Sequence, residues 1–254
     1  MAGVDMSKLE ADGVTPRSGS ELYTSKDYWE YRFKPKAEGG GGDSDFEWLA
    51  SWDDLKRIVE LVIPDKAARV LLVGCGSSRL GRDMARAGYS RVVQTDYSLA
   101  CVETMRAAHA DEFPGMVFAV ADMLRLPEDL RAAGLLGGPA GEPAAAAADP
   151  GAAAAGLFDA VIDKAAMDAM LAGKGDVWDP PTDLLEQAHA VCKGTAEALR
   201  PGGVYLQVSF AQPHFRRPYL EQEAGWWAAP PTVHKVDRGL GYFAYEYKTP
   251  SAAD

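Results

Sequence analysis

The sequence predicts an α/β domain: a doubly wound, mostly parallel seven-stranded sheet with helices on both faces. Three observations carry that expectation. Short apolar runs alternate with helical patterns along the chain, a glycine turn follows the first clear run, and an acid closes the second, as in "RVLLVGCGSSRLGRDMARAGYSRVVQTDYS" at 69–98. Strands alternating with helices imply right-handed crossovers, which bring successive strands into parallel pairing.

Taken in order, residues 1–20 are polar and without periodicity, the pattern of a disordered tail, and 21–254 fit one domain. "YTSKDYWEYRFKPK" reads as a helix with Trp29 and Phe33 on one face at i, i+4. "AEGGGGDSD" reads as a flexible loop. "FEWLASWDDLKRIVELVIPDK" reads as an amphipathic helix with Leu55, Ile58, Val59 and Val62 at core spacing, ended by Pro64. Buried-strand runs follow: "RVLLVG", "RVVQTD", "MVFAVAD", "FDAVIDK", "GVYLQVS" and "GYFAYEYK". Between the third and fourth lies a segment of Ala, Gly and Pro, about 131–157, expected to be a low-complexity surface loop. An alanine helix is the competing pattern there, and Pro143 and Pro150 would interrupt it.

Charge and composition restrict the function classes. A formal net charge of −11 repels phosphate backbones, which argues against a nucleic-acid partner and favours a basic protein. No apolar run approaches the roughly 20 residues that cross a bilayer, and "MAGVDMSKLEADG" lacks a basic-then-apolar leader. The expectation is a cytoplasmic chain, not a membrane protein, with a monomer as the default. Cys75, Cys101 and Cys192 are odd in number and lack C-x-x-C or Cys/His ligand spacing, so neither a disulfide framework nor a metal site is expected. Cys75 reads as a small residue fitted to a tight turn, with a nucleophile beside a helix N-terminus as the alternative.

In a doubly wound sheet, ligands bind beyond the carboxyl ends of the strands. Gly74 and Gly76 allow backbone to approach a ligand closely, and Asp96 ends the second strand, where a carboxylate can accept both hydroxyl hydrogens of a ribose. A dinucleotide site favours G-x-G-x-x-G, whose third glycine position is here Arg79, which weakens an NAD or FAD reading. Asp122, at the third strand tip, could accept from an adenine amino group beside Met123, or simply cap a helix. "ALRPGGVYLQVS" places a Pro-Gly-Gly turn between a helix and the fifth strand, an arrangement common in S-adenosylmethionine-dependent methyltransferases.

At these residues the chain resembles the seven-strand, class I methyltransferases with a Rossmann-like fold. More narrowly, it resembles the elongation factor 1-alpha lysine methyltransferases related to the domain linked to endothelin-converting enzyme 2. The blocks carrying the resemblance are "YWEYRF", "FEWL", "LLVGCGSS", "TDYS", "ADM", "DKAAMDAM", "RPGGVY" and "QPHFRRPY", in that order, across about residues 26 to 250. The resemblance implies S-adenosyl-L-methionine as cofactor, elongation factor 1-alpha as protein partner, and cofactor contacts at Trp29, Phe33, Trp48, Gly74, Asp96, Tyr97, Asp122, Met123 and Lys164. Where generic class I enzymes often carry an acid two positions before the first glycine, this chain has Leu72; where the narrower family has "EKG", it has Asp163, Lys164 and Ala165.

Aromatic faces at Trp29, Phe33 and Trp48 suit a sulfonium cation, although such spacing is also ordinary core. Arg32 could pair with the cofactor carboxylate. Asp163 and Asp168 are the candidate proton acceptors for a target lysine, and "WDPPTDLL" and "QPHFRRPY", with His214, are expected to shape substrate access. A small-molecule methyltransferase and a non-catalytic cofactor-binding adaptor are the alternative readings.

Overall fold

The computed structural model describes residues 19–137 and 156–251, apart from 44, 174, 176, 177, 224 and 240. The expected tail is therefore outside the described residues up to 18, as is 138–155 of the expected insertion. Gly19–Thr24 form a short 3-10 helix.

Seven strands form one sheet in the order β3-β2-β1-β4-β5-β7-β6. They are β1 (Arg69–Val73), β2 (Arg91–Asp96), β3 (Val117–Val120), β4 (Phe158–Lys164), β5 (Leu199–Ser209), β6 (Thr232–Val236) and β7 (Tyr242–Lys248). The first five pair in parallel, and β7 inserts antiparallel between β5 and β6. Strand order reverses at β1, where the chain leaves toward β2 and β3 and later returns through β4. That reversal opens the crevice in which α/β folds bind ligands.

Helices are α1 (Lys26–Phe33), α2 (Trp52–Val62), α3 (Leu80–Arg86), α4 (Leu99–His109), α5 (Leu126–Ala132), α6 (Ala166–Met170), α7 (Thr182–Ala198) and α8 (Pro213–Leu220). Both sheet faces are covered, which is why β1 is apolar from Val70 to Val73 instead of alternating. Val70 and Leu72 pack with Leu55, Val59 and Met84 on one face. Leu71 and Val73 pack with Leu130, Val191 and Tyr205 on the other.

Four boundaries differ from the sequence reading. The helix expected from 46 and ended by Pro64 starts at Trp52, because Leu49 adopts a left-handed φ of 61° and Ser51 caps the helix in a box with Asp54. The Pro-Gly-Gly segment is an irregularity inside β5 and not a turn before it: Leu199 already pairs with Phe158, and the ladder shifts before Val204 meets Ala160. β6, "TVHKV", escaped recognition because only Val236 among its residues is buried, so it shows no apolar run. The expected insertion begins too early at 131, since Leu135 and Leu136 are buried in the core behind α5.

Candidate functional site

The site is built on the tips of β1, β2 and β4, with α1 and the segment before α2 laid across them. Gly74 and Gly76 take left-handed φ values of +55° and +51°, which side chains adopt only with strain. A Cβ on Gly74 would lie 2.4 Å from the Ala166 Cβ, so this glycine lets α6 pack against the turn. A Cβ on Gly76 would face the Phe33 ring at 3.5 Å. The turn thus presents backbone toward the aromatic face of α1.

Asp96 is buried at the tip of β2 and accepts from Gly76 N at 2.9 Å and Ser98 N at 3.0 Å. Among the described residues no lysine or arginine forms an ion pair with it. Burial pushes its carboxyl up to about 6, against the opposing pull of those two N–H donors. Each carboxylate oxygen has a second lone pair, so Asp96 retains capacity for two hydroxyl donors. Glu30 braces the same loop from α1, accepting from Ser98 Oγ and Leu99 N, each at 3.0 Å. Sequence reasoning passed over Glu30 because its partners lie nearly 70 positions away.

Trp29, Phe33, Trp48, Tyr97 and Cys75 share one apolar cluster with α4. Trp29 stacks on Phe33 at 5.6 Å between centroids, and Trp48 meets Trp29 edge-on at 6.3 Å. The Arg32 guanidinium lies 5.4 Å from the Trp29 ring centroid and 5.3 Å from that of Trp48. Its carboxylate partner is Asp43 at 2.6 Å, and Asp43 also accepts from Ser77 Oγ at 3.1 Å. Arg32 is therefore the hub that ties α1 to the glycine turn.

Lys164, at the tip of β4, donates to Glu47 at 3.2 Å and to the Trp48 carbonyl at 2.8 Å. Desolvation lowers its pKa, while Glu47 pulls the other way. Glu47 Oε2 is buried and has no hydrogen-bond partner among the described residues. An unpartnered buried carboxylate oxygen is costly, so this atom marks an acceptor position suited to a cationic donor. Only the tertiary structure could have found Glu47, since "FEWL" reads as helix.

The remaining candidates are more scattered. Asp122 caps the turn Met123–Arg125 by accepting from Leu124 N at 3.0 Å. Met123 packs against the cluster on the opposite sheet face from Trp29. Asp163 is fully buried and accepts from Ala166 N at 2.9 Å, Gln207 Nε2 at 3.0 Å and Tyr205 OH at 3.3 Å. Asp168 accepts from Ser209 Oγ at 2.7 Å, from Phe210 N at 3.2 Å and from the Arg216 guanidinium. Both carboxylates are thus engaged in joining α6 to β5 and α8. Around α8, Trp178 and Phe210 are exposed, and Trp178 meets Phe215 edge-on at 4.8 Å and stacks with His214 at 6.0 Å.

No family model matches the chain. The mouse protein "EEF1A lysine methyltransferase 4" is 27% identical over 219 residues, covering 84% of this chain and 74% of its own length. The human "eEF1A lysine and N-terminal methyltransferase" is 28% identical over 225 residues, covering 88% of this chain but 26% of that protein. This chain is an S-adenosylmethionine-dependent methyltransferase of class I. The crystal structure of magnesium protoporphyrin IX methyltransferase from Synechocystis, with bound S-adenosylmethionine, superposes with a TM-score of 0.50 at 15% identity, covering 98% of this methyltransferase and 99% of that chain. The cyclase SpnF superposes with a TM-score of 0.54 at 15% identity, covering 93% and 99%. A cyclase and a methyltransferase sharing the architecture illustrate that fold alone does not fix the reaction. No helix among the described residues of the methyltransferase is long and apolar enough to cross a membrane.

Proposed function

We propose that this methyltransferase transfers methyl groups to a lysine of an elongation factor of the eEF1A type, in the cytoplasm. The observation that carries the reading is similarity along 84% of the chain to a relative named for that activity. The strand-tip residues support it chemically. The residues present fit S-adenosylmethionine: a carboxylate with spare lone pairs at Asp96, aromatic faces at Trp29, Phe33 and Trp48, and Glu47 Oε2, a buried acceptor without a hydrogen-bond partner among the described residues.

When bound, S-adenosylmethionine supplies an electrophilic methyl group. Asp96 would accept the two ribose hydroxyls, Tyr97 would lie beside the adenine, and Asp122 with the Met123 backbone would face the adenine edge. Glu47 Oε2 would accept from the amino group of the methionyl end, taking the role that Leu72 cannot. Lys164 would hold Glu47 and the Trp48 backbone in position. The main contribution to rate is alignment for in-line displacement, together with exclusion of water.

A lysine ammonium of pKa ~10.4 has no lone pair and must lose its proton before attack. With Asp163 and Asp168 engaged by buried donors, desolvation among the aromatic rings is the device we favour for neutralising the amine. Trp178, Phe210, His214 and Phe215 would form the rim through which the lysine-bearing segment passes.

The test is incubation of the purified chain and purified eEF1A with methyl-labelled S-adenosylmethionine. Label is expected on a lysine of the factor, and its absence while S-adenosylhomocysteine still binds would reject the substrate. A second arm compares S-adenosylhomocysteine with 5′-methylthioadenosine, which lacks the amino-acid end. Glu47→Gln is expected to weaken the first ligand about tenfold, near 1.4 kcal/mol, and to leave the second unchanged.

A further inference from the structure

We propose that Cys75, Asp96 and Cys101 form a binding site for a soft divalent cation of the zinc or cadmium class, and that its occupancy excludes the adenosyl ligand. This rests on the reading of Asp96 as the ribose acceptor. Cys75 belongs to the glycine turn after β1, Asp96 closes β2, and Cys101 lies in the first turn of α4. Their ligand atoms lie within 4.8 Å of one another, the one such convergence of three Cys, His, Asp or Glu side chains among the described residues.

The spacing fits a single ion. Zinc–sulfur bonds are ~2.3 Å and zinc–carboxylate bonds ~2.0–2.2 Å, so two ligand atoms on one tetrahedral ion are ~3.5–3.8 Å apart. Closing from the observed spacing takes movements of about 1 Å, within reach of side-chain rotation. Thiolate ligands select thiophilic d10 ions over magnesium or calcium, which prefer oxygen.

Charge supports the same conclusion. The Asp96 carboxylate is buried without a cationic side chain in ion-pair contact among the described residues. A buried anion of that kind favours a cation beside it. On coordination the two thiols release their protons to solvent, and a dication meets two thiolates and one carboxylate. That leaves one tetrahedral position for water, reached from the side on which Cys75 is partly exposed. The backbone N–H groups of Gly76 and Ser98 would hold the Asp96 carboxylate from behind.

The site and the cofactor cannot be filled together, because the two ribose hydroxyls would take both spare lone pairs on Asp96 and the metal needs one of them. The sequence conceals the site, since its ligands stand 21 and 5 positions apart and come from three elements.

The test uses the full chain, reduced and metal-free, titrated with Cd2+ while following the thiolate-to-cadmium charge-transfer absorbance. One equivalent is expected to saturate the band. Cys101→Ala should weaken binding by more than the ~10–100-fold that loss of a supporting residue costs, while leaving S-adenosylhomocysteine affinity within about twofold. Cys101→Ser serves if the alanine variant misfolds, and Cys192→Ala, which removes the remote thiol, should leave the band intact. Saturating S-adenosylhomocysteine should suppress the band in the parent protein. A missing band, or one that survives in the Cys101 variants, overturns the site. A Cys101-dependent band that persists with S-adenosylhomocysteine bound overturns the exclusion. Should Asp96→Asn then keep full nucleoside affinity, the ribose reading fails separately from the metal site.

Discussion

Asp96 and Asp163 are two buried carboxylates at the ends of β2 and β4, the strands on either side of β1, and burial pushes both up to about 6. They differ in who donates to them. Asp96 receives two backbone N–H groups, from Gly76 and Ser98. Asp163 receives the backbone of Ala166 and Met167 together with the side chains of Gln207 and Tyr205. A carboxylate with fixed backbone donors and spare lone pairs is positioned to bind a ligand. One surrounded by side-chain donors is a structural brace. Equal burial and equal direction of pKa shift therefore do not distinguish function from support; the inventory of donors does.

The largest expected effect that could break this contrast is on stability. Asp163→Ala leaves several buried donors unsatisfied and should cost about 3–4 kcal/mol in urea unfolding. Asp163→Asn should cost under about 1 kcal/mol, because Gln207 Oε1, which has no partner among the described residues, can turn to accept the new amide hydrogens. A cost for the asparagine equal to that for the alanine would mean that the charge itself holds the fold.

Next comes ligand affinity. Asp96→Asn should weaken S-adenosylhomocysteine about 100-fold by calorimetry, near 2.7 kcal/mol. Asp163→Asn should change affinity by less than about twofold. Equal losses would erase the division between the two acids.

The pH dependence is smaller and shared. Each carboxyl is raised from ~3.9 in the unfolded chain to about 6 when folded. Between those values the folded state binds more protons than the unfolded one, so stability is highest below about pH 4 for these groups and is lost as pH rises to about 6. Each contributes up to about 3 kcal/mol to that slope. Unfolding followed from pH 4 to 7 should show the decline, and Asp163→Asn should remove its own share. A slope unchanged by that substitution would assign the titration elsewhere.

The smallest effect sharpens the donor count: Tyr205→Phe removes one hydroxyl from Asp163 and should cost about 1 kcal/mol, with cofactor affinity unaltered. A measurable loss of affinity would connect the brace to the binding site.

Much of this arrangement was legible beforehand. The apolar run at 69–73, the glycine turn and the acid at Asp96 sit where the βαβ pattern puts them. The stripe Leu55, Ile58, Val59 and Val62 packs as its spacing requires. β6 was hidden because an edge strand with one buried side chain carries no hydrophobic period. The start of α2 was hidden because a left-handed residue at Leu49 leaves no mark in the amino-acid pattern.

Local alternation and turn chemistry alone determined the doubly wound sheet and the position of its crevice, since strand period, helix period and glycine punctuation act over a few neighbouring residues. The tertiary structure decided what fills the crevice walls. It set Glu30 against the start of α4, joined Glu47 to Lys164, and brought Cys75, Asp96 and Cys101 to one point. All but Asp96–Cys101 span about 20 residues or more, and only the fixed geometry of crossovers in a closed core brings such distant groups within hydrogen-bonding or coordination range.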